Sequence, residues 1–222
     1  MTRSSKTRRA PRSSQRVEPQ RRSMTVFVVV GLAAVLVVAA IAAVVIAGAG
    51  SSGSTEPASQ PIAVSGQQLP ALTDPAADPA VGQPIPELTG VGLDGRPLTI
   101  GPGDGPMAIV VLAHWCPHCQ AELPVLVDYI AQGSAPAGVS IVGLSTAIDP
   151  VRPNYPPSAW FEREGWTQPT LTDDANSSAL RALGVNSFPG FVFVAADGTV
   201  VQRLTGDVGV DQLTQILEVL AP

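Results

Sequence analysis

The chain has 222 residues, 45% hydrophobic and only 14% charged, with 22 prolines and 21 glycines. This length allows one domain of ordinary size with appendages, or two small domains. Two cysteines are too few for a disulfide-stapled mini-protein, and two histidines are too few for a multi-histidine metal centre. The formal net charge of −5 is unevenly distributed along the chain: eight of the thirteen basic residues lie within residues 1–22, and the remaining chain holds seventeen acids against five arginines. A body this acidic argues against nucleic-acid binding.

Residues 23–49 form the most apolar segment of the chain. No charged residue lies between Ser23 and Thr55, and Met24–Ala47 is almost wholly Val, Ala, Ile, Leu, Phe and Gly. A helix of this length can cross the roughly 30 Å hydrocarbon core of a bilayer, whereas signal-peptide h-regions run to about 7–15 residues. We therefore interpret the segment as an uncleaved transmembrane signal-anchor.

A cleaved signal peptide is the alternative, because Ala47-Gly48-Ala49 could be read as a small-residue cleavage site. No cysteine lies near the end of the apolar segment, which excludes a lipoprotein. The basic tail, residues 1–22, predicts an N-terminus in the cytoplasm and a C-terminal body outside the cell membrane. Under either interpretation the body lies in an oxidising compartment.

Residues 50–80 are rich in Pro, Ala, Gly and Ser without a hydrophobic period and predict a flexible linker. The body, residues 81–222, predicts an α/β domain whose mixed central sheet has helices on both faces. Its first clear strand is the continuous apolar run Met107–Ala113. A hairpin turn is predicted before this strand, at Leu93-Asp94-Gly95-Arg96. After it, the predicted elements are a helix over 117–131, a strand over 139–145, a short helix over 158–164 and a helix over 177–183, with Asp173, Asp174 and Asn176 as capping candidates. The last are strands over 190–195 and 199–204, which flank Asp197-Gly198, and a terminal helix over 210–220.

Both cysteines lie in Trp115-Cys116-Pro117-His118-Cys119, directly after the buried strand and at the start of the predicted helix. Residues three apart in one helical turn bring their Cα atoms to roughly 5–6 Å, within reach of a disulfide. Pro117 suits the first helical position, where no hydrogen bond is lost. Cys116 then caps the helix, where the dipole favours a thiolate, and Cys119 lies one turn further in. The spacing therefore predicts a nucleophile, Cys116, and a resolving thiol, Cys119.

Other uses of this cysteine pair fit less well. A purely structural disulfide would close a very short loop and add little stability. A zinc or copper site lacks ligands, because the only other candidates, His114 and His118, lie inside the same six residues. A peroxidase cysteine is normally preceded by threonine three residues earlier, where this chain has Ala113. We therefore expect neither a metal nor any other cofactor.

The body resembles the thioredoxin superfamily, and within it the membrane-anchored TlpA-like/ResA-like redoxins. The resemblance rests on Gly82-Gln83-Pro84-Ile85-Pro86, the Leu93-Asp94-Gly95 hairpin, His114–Cys119 with Glu122-Leu123-Pro124, and Phe188-Pro189 about 70 residues after the cysteine pair. It implies a thioredoxin-like fold preceded by one transmembrane helix, a protein thiol–disulfide oxidoreductase activity, and a cis-proline at Pro189 that binds substrate with Phe188. Trp115 would shield the disulfide and offer a substrate surface.

Two positions depart from the pattern of these relatives. Phe188 and Gly190 flank the proline where a small or β-branched residue and a threonine are frequent, so an incoming peptide would meet a more apolar edge. No acid or lysine lies within Met107–Ala113 to serve as a buried proton acceptor. Glu122, one turn beyond Cys119, is the nearest acid that could deprotonate the resolving thiol.

The Pro117-His118 pair between the cysteines is that of DsbA-type oxidases. An imidazolium at His118 would stabilise a Cys116 thiolate and make the disulfide a stronger oxidant. This favours disulfide formation in exported proteins, with an unidentified membrane redox partner that resets the cysteines. Two alternatives stay open: reduction of exported or apocytochrome c thiols, and a non-enzymatic tethered binding module.

Overall fold

A computed structural model describes residues 60–222 of the chain. The predicted cytoplasmic tail, the predicted transmembrane helix over 23–49 and the first part of the predicted linker lie outside the described residues. Among residues 60–222, no helix is both long and apolar enough to cross a membrane.

The described residues contain eight strands, four α-helices and one short 3₁₀ helix. The strands are β1 (Ala63–Ser65), β2 (Glu87–Gly92), β3 (Pro97–Ile100), β4 (Met107–Leu112), β5 (Ser140–Ser145), β6 (Thr170–Thr172), β7 (Gly190–Val194) and β8 (Val200–Thr205). The α-helices are α1 (Pro117–Ala131), α2 (Pro157–Arg163), α3 (Ser178–Ala182) and α4 (Val210–Leu220), and the 3₁₀ helix is Pro75–Ala77.

One mixed sheet contains all eight strands, in the order β1-β2-β6-β5-β4-β7-β8, with β3 paired to β2 off this path. β5 is parallel to both β4 and β6, and β7 is antiparallel to both β4 and β8. The predicted mixed sheet is thus confirmed, and β4 lies inside it with a strand on either side. Such a central strand must be apolar on both faces, and all six of its residues are buried.

The side chains of β4 alternate between two cores, as the two-residue period of a strand requires. Ala108, Val110 and Leu112 belong to a core that also contains the buried faces of α1 and α4. Ile109 and Val111 belong to the core on the opposite face, which contains α3. Helices therefore cover both faces of the sheet, as the sequence predicts.

Most predicted elements of the body are confirmed within one or two residues. The helix predicted over 117–131 is α1, and the terminal helix predicted over 210–220 is α4. The short helix predicted over 158–164 begins one residue earlier, at Pro157. β1 and β6 are not predicted, because three residues are too few to show a period. At α3, Asp173 and Asp174 accept amide hydrogen bonds from the first turn, but Asn176 is not the N-cap, because Ser177 occupies that position.

The linker prediction is wrong for residues 60–80, which fold onto the body. β1 pairs with β2, the amides of Leu69 and Leu72 donate to the carbonyls of Ala182 and Gly184, and both leucine side chains are buried. These few buried leucines are too widely spaced among the prolines and alanines to form a helical or strand pattern, so the sequence does not reveal them. We call residues 60–80 the N-terminal strap.

A buried ion pair holds the strap to the sheet. Arg203 on β8 is fully buried and donates from Nε to Asp78 Oδ2 at 2.8 Å and from Nη2 to Asp78 Oδ1. A third donor, Nη1, reaches the carbonyl of Leu183 at 2.7 Å. The hydrogen bond from Arg203 is the largest cause that lowers the pKa of Asp78 below its ordinary value. A bidentate pair that satisfies its donors in this way tolerates burial, whereas either partner alone would not.

We expect Asp78→Asn to lower the free energy of unfolding by about 3–5 kcal/mol, because it leaves the Arg203 charge buried without its counter-charge. Equilibrium urea unfolding of the full chain measures this, with Asp94→Asn as control because Asp94 is exposed and contacts only the side chain and the backbone amide of nearby Arg96. Since the folded-state pKa of Asp78 is lowered, its contribution is present near neutral pH and declines as pH falls toward that pKa. Equal unfolding midpoints for the two variants near neutral pH would contradict the assignment.

Candidate active site

Cys116 lies where β4 leads into α1. The strand ends at Leu112, Ala113–Trp115 turn the chain, and Cys116 is the N-cap of α1 with Pro117 in the first turn, as predicted. Its side chain is 7% exposed, and Sγ donates a weak hydrogen bond to the Phe188 carbonyl at 3.7 Å. The sulfur therefore lies at the positive end of a fifteen-residue helix, within reach of solvent.

Cys119 lies one turn further along α1 and has no exposed surface. Its sulfur accepts a hydrogen bond from the Ala113 amide at 3.5 Å. Burial is the main cause that raises the pKa of this thiol, and the neighbouring Cys116 and the charge of Glu122 raise it further. Both thiols are free in this structure, and a hydrogen bond between them also raises the pKa of Cys119.

The two thiols are thus unequal in the way that the predicted roles require. Cys116 is buried except for a small exposed surface through which the sulfur of a second protein could approach, whereas Cys119 has no exposed surface. Attack by Cys119 on a mixed disulfide needs its thiolate, which burial disfavours. A proton acceptor close to Cys119 would remove this obstacle.

Glu122 is a candidate for that proton acceptor. Its side chain is 5% exposed, and Oε1 accepts a hydrogen bond from the Val208 amide at 3.3 Å. Burial raises its pKa, the Val208 hydrogen bond lowers it, and the charge of Asp207 raises it again, with a net upward shift. A carboxyl group with a raised pKa is better matched for proton exchange with a thiol than an exposed one. The sequence placed this glutamate one turn beyond Cys119 but could not show its burial.

His118 points away from the buried side of α1. Its Nδ1 lies 3.3 Å from Asp207 Oδ2, and the two side chains are 69% and 58% exposed. Asp207 comes from the loop between β8 and α4 and is not among the residues that the sequence singled out. Its carboxylate would offset part of any positive charge on the imidazole.

Trp115 and Phe188 form the apolar surroundings of the reactive sulfur. Their rings meet edge to face with centroids 6.1 Å apart, and Trp115 donates from Nε1 to the Ala147 carbonyl at 2.7 Å. The Phe188-Pro189 peptide bond is cis, and Pro189 is buried. The structure thus brings Trp115, Cys116, Phe188 and Pro189 together, as the sequence predicted.

His114, which the sequence analysis left without a role, is fully buried beneath the site. Its Nε2 accepts from the Asp149 amide at 3.2 Å, so Nδ1 carries the proton and donates to the Pro153 carbonyl at 2.7 Å. Burial is the main cause that lowers the pKa of the ring, against smaller opposite effects of Pro153 and Asp149. The ring is therefore neutral and fully hydrogen-bonded. No sequence pattern links His114 to residues 35 and 39 positions away.

The loop between β8 and α4, residues 206–209, also contacts the site. The Gly206 amide donates to the Pro189 carbonyl at 2.9 Å, and the neighbouring Asp207 and Val208 contact His118 and Glu122 as described. This loop reaches the cysteines only because β8 pairs with β7 in the folded sheet, so the sequence offers no local signal for it.

The cysteine pair does not line a deep cavity, and Cys116 keeps only a small exposed surface. A cleft of about 660 Å³ does occur between the β2–β3 hairpin and the segment that runs from α2 to β6, but no residue of 114–119 or 188–189 lines it. Within the part of the chain that the structure describes, no group of three or more His, Cys, Asp or Glu side chains could hold a metal ion. Thiol–disulfide exchange needs only accessible sulfur and a route for protons, and this site provides both.

Comparisons with known proteins agree with this geometry. A model of the Redoxin family matches residues 80–219, which is more than half of the chain. Similar solved structures include a thioredoxin-family thiol:disulfide interchange protein from Chlorobium tepidum, with 22% identity, a TM-score of 0.52 and coverage of 65% of this chain and 99% of that one. The thioredoxin domain of a thiol-disulfide oxidoreductase from Bacteroides vulgatus has 19% identity, a TM-score of 0.50 and coverage of 64% and 98%. StoA from Bacillus subtilis has 16% identity, a TM-score of 0.51 and coverage of 62% and 98%. No curated protein matches the chain.

The chain belongs to the Redoxin family, and its fold is thioredoxin-like. It is a thiol–disulfide oxidoreductase.

We expect Glu122→Gln to slow resolution of a mixed disulfide on Cys116 by about 10²-fold, because the variant removes general acid–base assistance to Cys119. A dye-labelled peptide disulfide, mixed with the reduced enzyme and quenched at intervals, measures the lifetime of the adduct. Cys119→Ser gives the fully trapped reference. Because a base must be ionised, the wild-type rate should fall as pH falls through the raised pKa of Glu122, and the variant should lose this step.

The matched control for Glu122 is Asp128→Asn, which removes an exposed carboxylate from the same helix. An adduct that resolves equally fast in the Glu122 variant and in this control would exclude the proton-acceptor role.

Proposed function

We propose that this chain is a membrane-tethered, extracytoplasmic thiol–disulfide oxidoreductase that forms disulfides in exported proteins. The single observation that carries the oxidising direction is the placement of His118 in the exposed first turn of α1, between the N-cap cysteine and its partner. A positive charge there favours the reduced, ionised pair over the disulfide, which makes the disulfide the stronger oxidant. The likeness of the active-site segment to membrane-anchored TlpA-like/ResA-like redoxins supports membrane tethering, and the DsbA-type Pro-His pair supports the oxidising direction.

The exchange transfers two electrons from substrate to enzyme. A substrate thiolate attacks Cys116 in the Cys116–Cys119 disulfide, and Cys119 leaves and takes up a proton. A second substrate thiolate then attacks the substrate sulfur of the mixed disulfide and releases Cys116 as thiolate. Because the pKa of Cys119 is raised, it is a poor leaving group unless an acid protonates it, and Glu122 with its raised pKa can be that acid. A membrane redox partner would then reoxidise the pair.

Reduction of exported or apocytochrome c disulfides is the second candidate, and one contact favours it. Asp207 lies 3.3 Å from His118 and offsets the charge that would make the pair oxidising. Because both side chains are more than half exposed, we expect this compensation to be partial. The non-enzymatic binding module is not retained, because the chain is a thiol–disulfide oxidoreductase.

A redox titration of the cysteine pair tests the direction. We expect a midpoint potential above about −220 mV, between the roughly −270 mV of thioredoxin and the −120 mV of DsbA. His118→Ala should make it more negative by about 4–20 mV, since 30 mV corresponds to about 1.4 kcal/mol and exposed charge pairs are worth about 0.2–1 kcal/mol.

Turnover assays complete this test. Reduced ribonuclease should be reoxidised faster than insulin is reduced, and Cys116→Ser should abolish both reactions. A potential below about −220 mV together with faster insulin reduction would reverse the assignment to a reductant.

Membrane attachment is tested by extraction. We expect the full chain to remain in the membrane pellet after alkaline carbonate treatment, because residues 23–49 are long enough to span the bilayer. Added protease should digest the body in intact cells whose outer layers are permeable, and should leave the basic tail. Mature protein recovered from cells without residues 1–49 would instead establish the cleaved signal peptide.

A further inference from the structure

The loop between β5 and α2, residues 146–156, lies directly against the two residues that precede Cys116. Ala147 accepts from Trp115 Nε1, Pro153 and Asp149 bond the two ring nitrogens of His114, and Asn154 Nδ2 donates to the His114 carbonyl at 3.2 Å. We call this segment the recognition loop. Its contacts join it to a dipeptide that is 32 to 40 positions earlier in the chain.

The tip of the recognition loop carries an exposed apolar side chain next to the residue that lies over Trp115. The guanidinium of Arg152 lies 4.5 Å from the centre of the Trp115 ring and 3.7 Å from the Asp149 carboxylate, which fixes the tip of the loop over the tryptophan. Its neighbour Val151 is 89% exposed, the most exposed of the large hydrophobic side chains in the described part of the chain. A single exposed valine is common on protein surfaces, but this one adjoins Arg152, whose guanidinium lies over the Trp115 ring next to Cys116.

Phe188 contacts both Trp115 and Cys116. Its ring meets the Trp115 ring edge to face, and its carbonyl faces the Cys116 sulfur. A polypeptide whose sulfur reaches Cys116 would therefore meet Phe188 and Trp115, and the recognition loop adjoins Trp115. The side chain next to its cysteine would lie against Trp115 and Val151.

We propose that Val151 and Trp115 select substrate segments that carry an apolar residue beside the reacting cysteine, and that His114 is the positioning residue that holds the recognition loop in place. This inference rests on the proposed action on polypeptide substrates and names their class. His114 fits the role because its two ring nitrogens bond two different points of the loop and its carbonyl bonds a third.

The hydrogen-bond pattern makes this selection dependent on pH. Protonation of His114 would place an N–H at Nε2 against the Asp149 amide and break that contact. The groups that face the ring are the Asp149 carboxylate and the Tyr155 ring from the loop, while Gln120 of α1 bonds only its carbonyl. Since burial lowers the pKa of His114, the contact is intact near neutrality and is lost at acid pH, below the ordinary range of histidine near 6.5.

Two disulfide peptides that differ only in a leucine or a serine beside the cysteine test the selection. The measured quantity is the ratio of their kcat/KM values, in which any change of cysteine chemistry cancels. We expect Val151→Ser to lower the wild-type leucine preference by about fivefold. The matched control, Val219→Ser, removes an equally apolar and 75% exposed side chain from α4 and should leave the ratio unchanged.

The positioning role is tested by the pH profile of the same ratio. Wild type should keep its leucine preference at neutral pH and lose it only as the pH falls below about 6.5, the ordinary value for histidine, whereas His114→Gln should show a weak preference that does not change with pH. A leucine preference that Val151→Ser leaves intact, or a pH profile that His114→Gln leaves intact, overturns the inference. Wild-type enzyme that turns over neither peptide, nor reduced or scrambled ribonuclease, overturns the proposed function itself.

Discussion

The burial of β4 is the constraint on which the rest of the molecule depends. This strand has neighbours on both sides and cores on both faces, so its end at Leu112 is fixed relative to the whole sheet. The three residues that follow turn the chain and place Cys116 at the N-terminus of α1, while the buried face of α1 returns to the same core. A sulfur at the end of such a strand can be presented to another protein without freedom to move, which keeps its orientation relative to Phe188 constant. Positioning of this kind is what exchange between two sulfurs requires.

Burial also determines the order in which the two thiols react. Cys119 is inaccessible and its pKa is raised, so it acts only on a sulfur already bound to Cys116. The same burial raises the pKa of Glu122, which makes this carboxyl a better match for proton exchange with a thiol than an exposed carboxyl would be. A group matched in this way can take the proton when Cys119 attacks and return it when Cys119 leaves. The buried part of the site therefore supports exchange in both directions, and the direction of electron flow must be determined by the exposed residues around Cys116.

The sequence predicts the elements that have long patterns and the site residues that lie next to one another in the chain. The strand β4, the helices α1 and α4 and the cis-proline at Pro189 follow from apolar runs, helical spacing and the resemblance to known redoxins. The N-terminal strap was not predicted, because it is held by isolated leucines and by one ion pair between Asp78 and Arg203, which are 125 positions apart. Contacts across such distances leave no local pattern, and the recognition loop and Asp207 were missed for the same reason.

The loop between β8 and α4 connects the exposed and the buried parts of the site. Asp207 contacts His118 on the surface, and its neighbour Val208 donates to Glu122 below it, while Gly206 bonds the carbonyl of Pro189. The charge of Asp207 also raises the pKa of Glu122, so one carboxylate acts on both ionisable neighbours of the cysteine pair. Three consecutive residues, Gly206, Asp207 and Val208, thus contact the cis-proline, His118 and Glu122 in turn. Any movement of this loop would therefore alter the field at His118 and the hydrogen bond to Glu122 together.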